Sequence, residues 1–135
     1  MMALLVGVGV IAGPAVAHHG TNISYDRTKQ WTKPAVVTDF AYKNPHPQFY
    51  VDVKNDKGEV EHWSLEVLPN ISGMIQNGWS RARSSEALKP GTTVIVTVAP
   101  ARAGGPVGVA LKITNEQGEE ILGGAGGPPP DAGAP

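Results

Sequence analysis

Apolar and polar residues alternate along most of the middle of this chain, and a period of two is the signature of half-buried β-strands. In residues 31–42 the alternating set is Val36, Thr38, Phe40 and Tyr42. Phe49, Val51 and Val53 share one face of residues 48–53. Trp63, Leu65 and Val67 share one face of residues 60–67, with His62, Ser64 and Glu66 on the other. Asn44-Pro45-His46-Pro47 separates the first two segments, because proline has no N–H to give to a ladder. Asn55-Asp56-Lys57-Gly58 reads as a hairpin turn, with glycine supplying the positive φ.

The period changes after Pro69. Ile71, Met74 and Ile75 fall at helical spacing, Asn70 is placed to cap that helix and Gly78 to stop it. One short helix is therefore predicted, weakened by Gly73. The polar stretch 81–91 reads as a connector. Period two returns in residues 92–99, where Val94, Val96 and Val98 share a face, and in 107–114, where Val107, Val109, Leu111 and Ile113 do. Gly104-Gly105 joins these two as a hairpin connector, and Asn115–Gly118 turns the chain into a short edge strand over 119–122. The predicted core is Phe40, Val51, Trp63, Leu65, Val96 and Leu111, with Val53, Val67, Val94 and Val109 on the same faces. Trp31, Trp63 and Trp79 read as core or as plugs at the barrel ends.

Three strands, a short helix and two strands is the order of an OB-fold, a small five-stranded Greek-key barrel. The expected class is all-β with one short helix, folded as a five-stranded antiparallel barrel. A small antiparallel barrel of other topology, or an open sandwich, fits the same order. Such a fold carries little functional information by itself.

The flanks add organisation. Residues 3–17 carry no charge and are rich in Ala, Val, Leu and Gly. They are too short for a membrane span, which needs about 20 apolar residues. They suit a secretory leader cleaved after Ala15-Val16-Ala17. No Lys or Arg precedes them, so a hydrophobic N-terminal anchor is the competing reading. The organisation expected is a signal peptide over 1–17, an N-terminal arm over 18–30, a barrel over 31–122 and a Gly/Pro-rich tail over 123–135. That tail has too little apolar surface to fold and is expected to be disordered. Export to the bacterial periplasm or beyond follows from the leader, with no membrane span left after cleavage.

Charge and cysteine content then narrow the chemistry. A net charge of −1 leaves no basic groove for nucleic acid. The absence of cysteine removes disulfides and thiolate metal sites. No glycine-rich loop joins a strand to a helix as a phosphate cradle requires, and no nucleophile elbow is present, so the reading is non-catalytic.

What remains is four histidines: His18, His19, His46 and His62. Cleavage after Ala17 would make His18 the first residue, with a free α-amine beside its imidazole. Amine and imidazole nitrogens suit Cu(II), and an α-amine with a pKa of about 8 yields its proton readily to a metal. His46, held between two prolines, is the candidate for a further nitrogen, and His19 adds another. Glu66 could accept a hydrogen bond from a liganding imidazole. The plainer readings are a solvated terminus, an exposed turn histidine and a surface carboxylate. His62 faces away from Trp63 and reads as a surface residue.

Two functions follow, with an oxygen-activating copper enzyme built on the terminal histidine as a third, minor alternative. The first is an exported, non-catalytic metal-binding domain of copper type, with His18, His19 and His46 as ligands and Glu66 in support. The second is an interaction module that binds an exported enzyme or envelope partner without metal, using the Asn44 loop and Arg102 as contacts. They differ in whether His46 lies at the end of the barrel where the arm arrives.

The His18-His19 pair, Asn44-Pro45-His46, Trp63-x-Leu65-Glu66, Gly78-Trp79, Lys89-Pro90-Gly91 and Pro100-Ala101-Arg102 form an ordered series. Over residues 15–122 that series resembles DUF6152, a family of small exported bacterial domains of unknown function. The resemblance implies export and a small β-barrel, and brings no established activity. The leader carries a direct test: protein recovered from the periplasm should have the intact mass of residues 18–135, and a mass retaining residues 1–17 would remove the free amine from His18.

Overall fold

The computed structural model describes residues 24–68 and 70–123; His18, His19, the leader and residues 124–135 lie outside the described residues. Five strands are formed: β1 (Trp31–Ala41), β2 (Gln48–Lys54), β3 (Val60–Val67), β4 (Thr93–Pro100) and β5 (Val107–Thr114). They close into a barrel in the order β1-β2-β3-β5-β4, with β4 returning to β1. The arrangement is OB-fold-like. The barrel is mixed, which corrects the purely antiparallel expectation: β3 and β5 run parallel, from Ser64↔Val107 to Val67↔Ala110. Parallel neighbours need a crossover rather than a hairpin. The helical connection after β3 supplies it, so the β4–β5 hairpin arrives with β5 aligned to β3.

Two helices, not one, make that connection. In α1 (Ile71–Gln76) the Asn70 side chain accepts from Gly73 N at 2.9 Å, and Gly78 follows at φ 82°. The polar stretch read as a connector holds α2 (Arg81–Ala87), capped by Ser80, which accepts from Arg83 N at 3.2 Å. The cap and the helix formers in RARSSEA make this helix, although its apolar content is too low to give a period. Met74, Trp79 and Leu88 carry the helical segment into the barrel core.

The predicted faces of β2, β3 and β4 hold: Phe49, Val51, Val53, Leu65, Val67, Val94, Val96 and Val98 are buried. Those of β1 and β5 hold on only one side of an irregularity, and the cause is the same in both. In β1, Val37 pairs with Val51 and Asp39 with Tyr50, which leaves Thr38 as the extra residue of a bulge. A bulge reverses the phase of a strand. Before it Ala35 and Val37 are buried and Val36 is 42% exposed; after it Phe40 packs half-buried against the core. In β5, Val98 pairs with Ala110 and Thr97 with Lys112, so Leu111 is the extra residue and is only half-buried. Ala110 enters the core in its place, while Ile113 is buried on the face expected of it. Val109 pairs with Glu66 and so lies on the outer surface, where it is nonetheless buried. Trp63, expected in the core, is half-buried and meets Trp31 edge to face at 5.0 Å between ring centroids.

Gly108 is a point of close approach between β4 and β5. It pairs with Leu65 of β3 and Pro100 of β4. A Cβ there would lie 2.6 Å from Val98 Cγ1 and 2.7 Å from the Ala99 carbonyl oxygen. Leu65→Ala should therefore cost about 2–5 kcal/mol in urea unfolding. Gly108→Ala should cost about 1–3 kcal/mol through overpacking. Leu111→Ala should cost clearly less than Leu65→Ala. A loss under about 0.5 kcal/mol for Leu65→Ala would overturn the register.

Candidate functional site

The loop from β1 to β2 is tied down by its second proline. Pro47 is buried, and its carbonyl accepts from Val67 N at 3.1 Å. That bond sets the loop against the end of β3, so His46 comes to rest beside Glu66. Strand alternation puts Leu65 and Val67 into the core and Glu66 on the outer surface. His46 Nε2 lies 3.7 Å from Glu66 Oε1, with the two side chains 30% and 11% exposed. The other ring nitrogen, Nδ1, is buried and has no hydrogen-bond partner among the described residues.

The second carboxylate oxygen is held from a different part of the chain. Tyr25 Oη donates to Glu66 Oε2 at 2.6 Å. Burial, and then the hydrogen bond to Glu66 and its negative charge, push the Tyr25 phenol well above the ordinary value of about 10. Tyr25 therefore stays a neutral donor across the physiological range. The backbone around it is fastened where β4 ends. Tyr25 bridges Ala101, Asp26 N donates to Pro100 O at 2.8 Å, and Arg102 N donates to Ser24 O at 2.8 Å. Asp26 then caps a single 3-10 turn, Arg27–Lys29, by accepting from Thr28 N at 3.0 Å and Thr28 Oγ1 at 2.5 Å. These Thr28 bonds, with the Arg102 and Lys29 charges second, hold the Asp26 carboxyl below the usual carboxylate range.

The sequence-predicted residues thus separate. His46 and Glu66 are brought together. Arg102 lies on the other side of the arm, 3.8 Å from Asp26 Oδ2 through Nη1, and touches neither His46 nor Glu66 by hydrogen bond or ion pair. Asn44 is exposed in the loop. His18 and His19 fall outside the described residues. His62 is an outer-surface residue as expected, with an 82% exposed side chain bonded to Asp52. It sits four positions from Glu66 on β3, about 13 Å along the strand. Among the described residues no three His, Asp or Glu side chains gather into a metal-sized group, so these residues supply the pair His46 and Glu66. No helix among them is long and apolar enough to cross a membrane.

Tyr25 and Asp26 escaped the sequence reading because the arm has no period. The signal present was local: Asp26 two residues before Thr28, a turn-capping spacing, beside a single aromatic in a polar stretch. Tyr25→Phe should release the arm. Amide exchange at Asp26 and Arg102 should speed up, while core amides such as Leu65 keep their protection. Because the folded-state phenol is raised, the contribution of Tyr25 is complete below about pH 10 and fades as pH rises through the higher folded value. Ultraviolet titration should show one late-ionising tyrosine that disappears in Tyr25→Phe. Unchanged exchange at both amides would mean that the backbone bonds alone hold the arm.

Comparison with curated proteins and with solved structures gives no match. The model of one family covers residues 6–110, which takes in the Asn44-Pro45-His46 loop, Glu66, β1 to β4 and the first half of β5. The chain belongs to that family, described as a family of unknown function, DUF6152.

Proposed function

We propose that this chain is an exported, non-catalytic metal-binding domain that takes one Cu(II) between the barrel and its N-terminal arm. The ligands in this reading are the His18 amine and imidazole together with His46, with His19 adjacent and Glu66 in support. The observation that carries it is the shared carboxylate of Glu66, which meets His46 through one oxygen and the arm residue Tyr25 through the other. The arm therefore arrives at the same corner of the barrel as His46. From Tyr25 back to His18 is seven residues, and an extended chain of that length reaches up to about 25 Å. The gap between His46 and Glu66 also suits a cation. At 3.7 Å, Nε2 and Oε1 are too far apart for a hydrogen bond. Two donors of one metal, each about 2.1 Å from it, lie at most about 4.2 Å apart. On this account Glu66 either orients the imidazole or shares the metal. The leader supplies the remaining element, a periplasmic or secreted location where copper is handled outside the cytoplasm.

The exposed side chains of Arg102 and Asn44, on loops either side of the arm and His46, favour a second reading: docking of an exported protein partner without metal. Copper titration of correctly processed protein separates the two. One equivalent should bind. His46→Ala should weaken binding, and Glu66→Gln should weaken it about tenfold or more. One residue added before His18 should weaken it as well, because an amide replaces the amine. His19→Ala is the control that assigns the terminal ligand. Acidification should release the metal, because protons compete for the amine and imidazole nitrogens. If His46→Ala and the N-terminal extension both leave the affinity unchanged, copper binding is adventitious and the partner reading takes its place.

A further inference from the structure

The barrel wall has an opening away from His46. The β1–β2 ladder begins at Val36↔Asp52 and does not continue toward Lys33 and Lys54. The reason is in the sequence. Val37 N donates to Thr92 O and Val37 O accepts from Gly91 N, so the backbone groups of Val37 point away from β2. Alternation then turns Val36 and Pro34 toward β2. Pro34 has no N–H, so the ladder stops there. Where the strands part lies a cavity of about 320 Å³, lined by Lys33, Pro34, Ala35, Val36, Asp52, Lys54 and Thr93. That volume is at the lower end of small-ligand sites, about 300–1,000 Å³.

Its chemistry is uneven. The floor is apolar, from Pro34, Ala35 and the exposed Val36. The outer rim carries the Lys54 ammonium and the Thr93 hydroxyl, whereas Lys33 shares the inner face of β1 with Ala35 and Val37. Lys54 is exposed and forms no ion pair among the described residues. Lys33 leans over the Trp31 ring and reaches Asp56 at 3.4 Å, a partner that is fully exposed and so holds it weakly. The carboxylate of Asp52 is engaged by His62. An anion at the outer rim would meet Lys54 and the Thr93 hydroxyl, while Asp52 nearby disfavours more than one negative charge.

We propose that this opening is a binding site for a small monoanionic carboxylate with an apolar body, its carboxylate at Lys54 and the Thr93 hydroxyl and its chain over Pro34 and Val36. The site is separate from the copper reading and does not depend on it. The test is a titration of metal-free full-length mature protein, followed by backbone amide chemical shifts, with octanoate, octanol and octylammonium as probes. Octanoate should give saturable shifts at Val36, Asp52, Lys54 and Thr93, and the neutral and cationic analogues weaker ones. Lys54→Gln should weaken octanoate about three- to fivefold, the loss of one exposed charge contact. Val36→Asp should abolish binding, with the remainder of the spectrum reporting an intact fold. Absence of saturable shifts at these amides, equal binding of the three probes, or no effect of either substitution would overturn the proposal.

Discussion

Gly108 lies where β3, β4 and β5 meet, and the absence of a side chain there lets the barrel close. A methyl group at that position would collide with Val98 and with the Ala99 carbonyl, so β4 and β5 could not approach as they do. The consequences run outward from this contact. The parallel β3–β5 pair places Val109 beside Glu66. Pro100 at the end of β4, and Ala101 just after it, then offer the backbone on which the arm lays Tyr25 and Asp26. From there Tyr25 reaches Glu66, and Glu66 meets His46. A packing constraint in the core thus determines which polar groups face one another on the surface.

How much of this was legible in the sequence depends on whether the relevant signal is periodic. β2, β3 and β4 are regular, so their buried faces could be read from alternation alone. The ends of α1 were legible too, because Asn70 and Gly78 act through local backbone chemistry. β1 and β5 each carry a bulge, at Thr38 and Leu111, and one extra residue inverts the face of everything on one side of it. That is why Val36 and Leu111 sit less deeply than their pattern suggested, and why Ala110 is core. α2 was missed for a different reason: it is short and polar, and its cap at Ser80 is its main mark. The parallel pairing of β3 with β5 is a long-range property that no local pattern records.

The candidate site divides along the same line. His46 could be singled out because Pro45 and Pro47 flank it, and Glu66 because alternation puts it on the outer surface. Their approach to 3.7 Å was not legible, since it depends on the Pro47 carbonyl bonding to Val67 N. Nor was the part played by Tyr25, which acts through a contact 41 residues away in the chain. Arg102 could be picked out as a loop cation, yet its partner is Asp26 of the arm rather than the His46 corner. The geometry therefore links the arm to His46 and gives Arg102 a share in holding the arm.

The central claim is that the arm and His46 meet at one corner of the barrel and hold a metal between them. Paramagnetic broadening of backbone amide signals by one equivalent of Cu(II) tests it most directly, because the effect depends on distance from the ion. The account predicts loss of signal at His46, Glu66 and Tyr25 together, with the Asn55–Gly58 turn unaffected. Broadening confined to the first residues of the mature chain, with His46 and Glu66 still sharp, would contradict it.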